Sequence, residues 1–325
     1  MSKKRAGASD EARALAEMAR GPLDGDALEK IRRALGSAQH VVVARAAKII
    51  REGALNGFES DLLEAFERFR MLSAKEDPGC LAKLALIEAL DFGNCRDAQP
   101  FLIAAQIVQP EPVWGGRSDS AGPVRARALL ALANLGFEDL VLLAADKMGD
   151  GDPAVRQAAA DALAHCGARA GAAVLLMAAQ RERDAPPVLL ACFAGLLALA
   201  PDWGLPHLRK TLEGHDGAQR ELAAIALGES RRDDALDLLV EFAEQTPLAR
   251  ERAQTFRAIA MHRSERALEY LLKVILEGRA GDAVAAVKAL GDQREDARIA
   301  ARVRQAAEKR SEATVSAAFE ETFEA

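Results

Sequence analysis

One stretch of this chain gathers side chains of the kind that grip another molecule. Residues Gln109-Pro110-Glu111-Pro112-Val113-Trp114-Gly115-Gly116-Arg117-Ser118-Asp119-Ser120-Ala121-Gly122-Pro123 set a large aromatic and two opposite charges among glycines and prolines. Tryptophan and arginine are the residues that most often anchor a partner. Long loops between regular elements are often functional. A second reading stands beside the first: Trp114 folds back as a plug between neighbouring elements, and Arg117 and Asp119 form a local bridge. It has weight because tryptophan is mostly buried. On the first reading Trp114, Arg117 and Asp119 bind a partner; on the second they pack.

Elsewhere the patterns that carry catalysis are missing. There is no Cys-x-x-Cys and no His-Glu-x-x-His, so no zinc site is expected. Gly115-Gly116 is not followed by the lysine of a phosphate-cradling loop. His165 and Cys166 are adjacent and therefore diverge on a helix; helix-end packing accounts for both. No catalytic residue, metal or cofactor is expected.

Composition narrows the class of protein. Half of the 325 residues are hydrophobic but only 4% are aromatic, so alanine and leucine do most of the burying. The formal net charge is −6, which argues against a nucleic-acid or anionic-membrane surface spread over the whole molecule. Four scattered cysteines make no disulfide framework. No apolar stretch follows the basic Met1-Ser2-Lys3-Lys4-Arg5, so it is not read as a secretory signal. The longest apolar run, Val188 to Ala200, is too short to span a bilayer and is expected to be a buried helix. A cytoplasmic protein without a membrane segment is the expectation.

The elements that must hold the loop are legible from an echo. Val124-Arg125-x-x-Ala128-x-x-Ala131-Leu132-x-x-x-Gly136 returns as Val155-Arg156-x-x-Ala159-x-x-Ala162-Leu163-x-x-x-Gly167. The aliphatic column continues through Leu196, Leu227, Ile259 and Leu290, at steps of 33, 31, 32 and 31. A small residue precedes each member (Ala131, Ala162, Gly195, Ala226, Ala258, Ala289), and another lies three residues earlier (Ala128, Ala159, Cys192, Ala223, Thr255, Ala286). Such a period means stacked supersecondary units. Asp152-Pro153 predicts an N-cap with proline in the first turn, and Gly167 a left-handed helix end. Small side chains let helix axes approach while the neighbouring leucine fills the groove. Trp203, after Pro201-Asp202, is expected in the core. Upstream, Ala89-Leu90 continues the column 42 residues before Leu132, a step of 31 plus an insertion of 11.

The string Gly151-Asp152-Pro153-Ala154-Val155-Arg156-Gln157-Ala158-Ala159-Ala160-Asp161-Ala162-Leu163 resembles HEAT-like repeats of the short, phycobilisome-lyase type. Ala226-Leu227-Gly228-Glu229-Ser230-Arg231-Arg232-Asp233-Asp234-Ala235-Leu236 looks like the join between two of them. The resemblance is strong over 122–310 and moderate over 24–121. It implies an all-α, armadillo-type fold: a right-handed α-solenoid of stacked helix pairs whose second helices line a concave face. It also implies that Arg125, Arg156, Arg220 and Arg250 pair with a carboxylate near the next repeat's start, such as Asp152 or Asp184, as structural residues alongside Ala159, Ala162 and Leu163.

Some proteins with such repeats are enzymes. The di-iron hydroxylases of this type hold metal with His-Glu pairs. Here the histidines are followed by Val41, Cys166, Leu208, Asp216 and Arg263, which excludes that chemistry. Chromophore lyases share the scaffold, and a scaffold does not carry an activity with it. A DNA glycosylase needs a basic track and aromatics at a lesion, and the column arginines are better explained by ion pairs. The expected organisation is a disordered 1–9, a solenoid over 10–310 with irregular repeats at 24–121, an inserted loop at 109–123 and regular repeats at 122–310, then a short helix at 311–325. Phe319 and Phe323 make an apolar stripe on that helix, either capping the last repeat or docking into a partner's groove. A non-catalytic scaffold that binds a protein partner through its concave face and the 109–123 loop is the functional expectation. A chromophore-lyase-like activity and nucleic-acid binding are the alternatives, the latter disfavoured by charge.

Overall fold

The computed structural model describes residues 2–181 and 184–324. Its chain divides into two compact units, Met1–Ala168 and Arg169–Ala325, and each is an α-solenoid of stacked helix pairs. In the first unit the helices are α1 (Ser2–Met18), α2 (Gly25–Leu35), α3 (His40–Glu52), α4 (Glu59–Phe69), α5 (Leu81–Phe92), α6 (Gln99–Ala104), α7 (Gly122–Asn134), α8 (Leu140–Lys147) and α9 (Pro153–Cys166), with strands β1 (Pro110–Val113) and β2 (Gly116–Asp119) between α6 and α7. The second unit holds α10 (Ala170–Ala179), α11 (Pro186–Leu199), α12 (Pro201–Leu212), α13 (Gly217–Glu229), α14 (Asp233–Gln245), α15 (Ala249–Met261), α16 (Glu265–Glu277), α17 (Ala280–Ala289), α18 (Ala297–Arg310) and α19 (Ala313–Phe323).

The small-residue column sits where the stacking needs it. Helices α5, α7 and α9 pack in series in the first unit, as do α11, α13, α15 and α17 in the second. Ala128, Ala131, Ala159, Ala162, Leu163, Cys192, Ala223, Ala226, Thr255 and Ala258 on these helices are all buried. Close approach is sharpest where the column has glycine neighbours. A Cβ on Gly228 would lie 2.1 Å from the Ala258 carbonyl oxygen, and one on Gly122 1.7 Å from Asp152 Oδ2. Side-chain caps start the helices: Asp152 accepts from Ala154 N–H, Asp216 from Ala218 and Gln219, Asp296 from Arg298 and Ile299. Each such cap stabilises its helix by about 1 kcal/mol.

Helix ends extend the repeat further upstream than side-chain type reveals. Four residues after the column aliphatic the backbone turns left-handed, at Gly136 (φ 66°) and Gly167 (φ 69°), but also at Ala54 (φ 47°), Asn94 (φ 55°), Arg231 (φ 52°) and Arg263 (φ 57°). The next N–H closes the turn onto the column residue: Leu55 onto Ile50, Cys95 onto Leu90 and Phe137 onto Leu132, at 2.9–3.0 Å. This is the Schellman arrangement. The column therefore begins at Ile50, in a region whose register is loose in side-chain pattern alone.

Three expectations need correction here. Residues 2–9, read as disordered, lie within α1; Met1 is outside the described residues. Trp203 is 62% exposed. The apolar stripe of α12 runs through Gly204, Leu208 and Leu212, and Trp203 stands one residue, about 100°, off that stripe. The inserted segment is not an irregular loop: β1 and β2 pair antiparallel with Val113 opposite Gly116.

The arginine ladder is real but shifted. Arg125 is buried and grips Asp150 bidentately (Nε–Oδ2 2.8 Å, Nη2–Oδ1 2.9 Å), while Asp152 caps α9 instead. Arg156 donates to the Asp150 and Gly151 carbonyls. Arg220 pairs with Glu251 and donates to the Leu212 and Gly214 carbonyls. Arg250 is exposed. Arg252, seven residues before Ile259 as Arg125 is before Leu132, is the buried one; its Nε holds Asp282 at 2.9 Å and its Nη1 donates to Thr246 and Pro247 carbonyls. Arg125, Arg156, Arg220 and Arg252 tie the first turn of a column helix to the loop before it, and Arg125, Arg220 and Arg252 also hold a carboxylate of the next column helix or its approach.

Candidate functional site

The hairpin at 110–119 owes its tip to glycine. Two residues, Trp114 and Gly115, connect the strands, and Gly115 has φ 87°. A positive φ at the third turn position is what a type II turn needs, and glycine supplies it without a steric cost. Pro110 and Pro112 lack an N–H, so β1 offers no donor at those positions and its edge is blunted against pairing with another strand.

The base of the hairpin is held by a polar network. Glu111 on β1 accepts from Ser120 Oγ (2.5 Å), Gln109 Nε2 (2.8 Å) and the Gly79 N–H (2.7 Å). Those three bonds hold its carboxyl below the usual range. Gln109 turns its amide oxygen to Lys83 Nζ (2.8 Å) and its amide nitrogen to the Asp77 carbonyl (2.9 Å). Lys83 and Asp77 are 1% and 0% exposed, and the ammonium is satisfied by Asp77 Oδ2 (3.3 Å), Gln109 and the Leu72 carbonyl (3.1 Å). Asp77 in turn accepts from the Ala82 and Lys83 N–H groups at the start of α5. A buried pair is tolerated only with such full hydrogen bonding.

The far strand is anchored through Asp119. Its Oδ1 accepts from the Gln109 and Ala121 N–H groups (2.8 and 3.0 Å), and its Oδ2 meets Arg125 Nη1 at 2.6 Å. Burial alone would raise this carboxyl; the two backbone donors and Arg125 outweigh it and hold the carboxyl low. Asp150 is likewise pushed up by burial and drawn down further by Arg125 and by the Asp152 N–H. Arg125 thereby joins the hairpin to the repeat ladder, since the same guanidinium serves Asp119, Asp150 and the Ile107 carbonyl.

The result is an indole held away from the body. Trp114 is 104% exposed; Val113, next to it in the turn, and Val108, at the hairpin base, are exposed as well. The plug reading of Trp114 is thus corrected, and so is the local bridge: Arg117 donates to the Pro110 carbonyl across the hairpin (3.2 Å), while Asp119 belongs to Arg125. The physical reason is that the polar network, not the indole, fills the space at the hairpin base. A groove of 770 Å³ flanks β1, lined by Arg70, Lys75, Val108, Pro112 and Arg117 among others. A second, of 580 Å³, flanks β2 and is lined by Val108, Ser118, Asp119, Arg125 and Asp150. The links of Lys83 and Asp77 to Gln109 and of Glu111 to Gly79 escape sequence reasoning because they join residues 26 to 32 apart.

The other candidates lie apart from this site in sequence. Phe319 is buried in α19, which packs on α17 and α18, and stacks on half-buried Phe323 with ring centroids 5.1 Å apart. A Cβ on Gly291 would lie 2.5 Å from Thr322 Cγ2, so α19 sits closely over the turn after α17. Among the described residues no helix is long and apolar enough to cross a membrane.

Residues 115–193 match the family model for HEAT repeats. Residues 115–193 are thus HEAT repeats, and the stacked helix pairs on either side continue the same all-α repeat architecture. No curated protein matches the chain. Among solved structures, the complex of CpcE and CpcF of phycocyanin lyase from a Nostoc species is similar over 75% of this chain and 94% of that one, at 18% identity and a TM-score of 0.41. An engineered protein matches over 96% of this chain and 93% of its own, at 17% identity and a TM-score of 0.39. Human deoxyhypusine hydroxylase in complex with glycerol matches over 87% and 97%, at 15% identity and a TM-score of 0.28. Likeness at this level transfers no activity.

Proposed function

We propose that this protein is a non-catalytic adaptor that captures a protein partner with the 110–119 hairpin, Trp114 acting as the anchor. The observation that supports this most is a fully exposed indole on a support with no slack. An indole in water carries a large unburied apolar area, and a pre-ordered anchor loses little entropy on binding. Val113, adjacent to Trp114, is exposed too, and Arg117 stands on the facing strand. The faces of the stacked second helices supply the remaining surface. A partner fitting this description offers an apolar pocket with acceptors at its edge.

The test compares wild type with Trp114→Ala as bait in extracts of the native cell, with captured proteins identified by mass spectrometry. A partner held by wild type and lost by Trp114→Ala, at unchanged helicity, is the expected result. Identical captures by both baits would remove the hairpin from the binding surface.

A further inference from the structure

Most arginines of the second unit face a carboxylate. Arg169 pairs with Asp202, Arg209 with Glu241, Arg220 with Glu251, Arg252 with Asp282, and Arg266 with Asp233 and Asp237. Arg231, Arg257 and Arg263 do not: among the described residues their side chains make no ion pair and no hydrogen bond. All three line one groove of 470 Å³, at the C-terminal ends of α13 and α15 and the turn after α17.

The groove is built rather than accidental. Only glycine fits at residue 228, where α13 and α15 touch three residues before Arg231. His262 then locks the two ends, its Nε2 3.1 Å from the Arg232 carbonyl oxygen and its Nδ1 2.7 Å from Ser264 Oγ. Gln293 Nε2 donates to the Ala260 carbonyl at 3.0 Å and fixes the third wall. Arg231 and Arg263 also occupy the left-handed helix-end position that the first unit fills with Ala54, Asn94, Gly136 and Gly167. Arginine is a poor residue for that backbone and a good one for presenting charge.

We propose that this groove binds a phosphoryl group. Three arginines whose side chains make no ion pair or hydrogen bond line this one groove, and planar forks suit a dianion with several oxygens. The volume is that of a small-ligand or side-chain site. Glu229 and Asp292 also line the groove, so its formal charge is three arginines less two carboxylates, or +1, which favours one compact anion over an extended polyanion. Either a free phosphate or a phosphorylated side chain of a partner carries this chemistry. The inference uses residues that the hairpin reading does not, and neither depends on the other.

The full chain would be titrated by calorimetry at constant ionic strength with inorganic phosphate and, separately, with a phosphoserine peptide and its unphosphorylated form. Saturable binding of phosphate, of the phosphopeptide or of both is expected, with none for the plain peptide. Tighter binding of the phosphopeptide identifies a partner as the source; tighter binding of phosphate identifies a free ligand. The double variant Arg231→Gly/Arg263→Gly should lose at least tenfold in affinity while melting at the same temperature or higher, since glycine suits the left-handed backbone. Arg257→Gln, at an ordinary helical position, should lose affinity with helicity intact, and Arg279→Gln outside the groove should bind as wild type. A lowered melting temperature of the double variant would assign the arginines to holding helix-end carbonyls and overturn the proposal. So would absence of saturable binding, unchanged binding by the variants, or tighter binding of a single-stranded oligonucleotide than of either phosphate probe.

Discussion

At the base of the hairpin the buried groups are polar: Lys83, Asp77 and Gln109, with Glu111, Ser120 and Asp119 closing the network toward solvent. In the helix column the buried groups are Ala128, Ala131, Ala159, Ala162 and Leu163. Both regions lack slack, for opposite reasons. The column is fixed by close packing, which is non-directional and needs only the right volumes. The hairpin base is fixed by directional bonds, each of which leaves an unpaired buried group if broken. A strand pair of four residues each cannot bury an apolar face of its own, so direction substitutes for area. The difference implies that the column tolerates chemistry-conserving change and the hairpin base does not.

The sharpest break of this comparison is Lys83→Ala. It leaves Asp77 buried without its partner, and a loss of about 3–5 kcal/mol is expected, read as a fall in the urea midpoint. Leu163→Ala removes buried aliphatic volume from the column and should cost about 2–5 kcal/mol; Leu163→Met, which keeps volume, should cost under about 1.5 kcal/mol. If Lys83→Met proved equally mild, direction would not be what holds the hairpin base. Ala159→Leu forces two column helices apart, at about 1–3 kcal/mol by thermal melting.

Acid sharpens the contrast further. Glu111, Asp119 and Asp150 all titrate below their ordinary values of 4.5, 3.8 and 3.8 in the folded chain. Groups depressed on folding stabilise above the unfolded value and lose that stabilisation as pH falls through the folded one. The hairpin should therefore loosen below about pH 4 while the column, whose buried alanines and leucines do not titrate, keeps its helicity. Hydrogen exchange of the Ser120 and Ala121 amides across that range reads the first, and circular dichroism the second. The smallest effect expected is that of Trp114→Ala on stability, within about 0.5 kcal/mol, because the indole touches nothing that folding needs.

How much of this was legible varies residue by residue. The column from Leu132 to Leu290 was readable because small side chains recur in phase, and that pattern is local. The arginine ladder was readable in kind but not in register: counting seven residues back from Ile259 reaches Arg252, whereas Arg250 lies two residues off the buried position. Left-handed helix ends announced themselves at Gly136 and Gly167 and stayed silent at Ala54, Asn94, Arg231 and Arg263, whose side chains do not advertise that backbone. Helix α1 was hidden by its polar Ser2-Lys3-Lys4-Arg5 start. The hairpin was hidden by prolines that read as loop, although Trp114-Gly115 is of the length that closes two strands.

The order of small and large side chains along the chain was enough to determine that helices pair, stack and repeat, because those contacts are set by groups three to four residues apart and by the next copy of the same pattern. Tertiary structure alone decided that Trp114 and Trp203 face water, that Asp119 serves Arg125 instead of Arg117, and that three arginines share a groove. Those outcomes depend on which distant groups already fill the available space and hydrogen-bonding positions, and no local spacing encodes that competition.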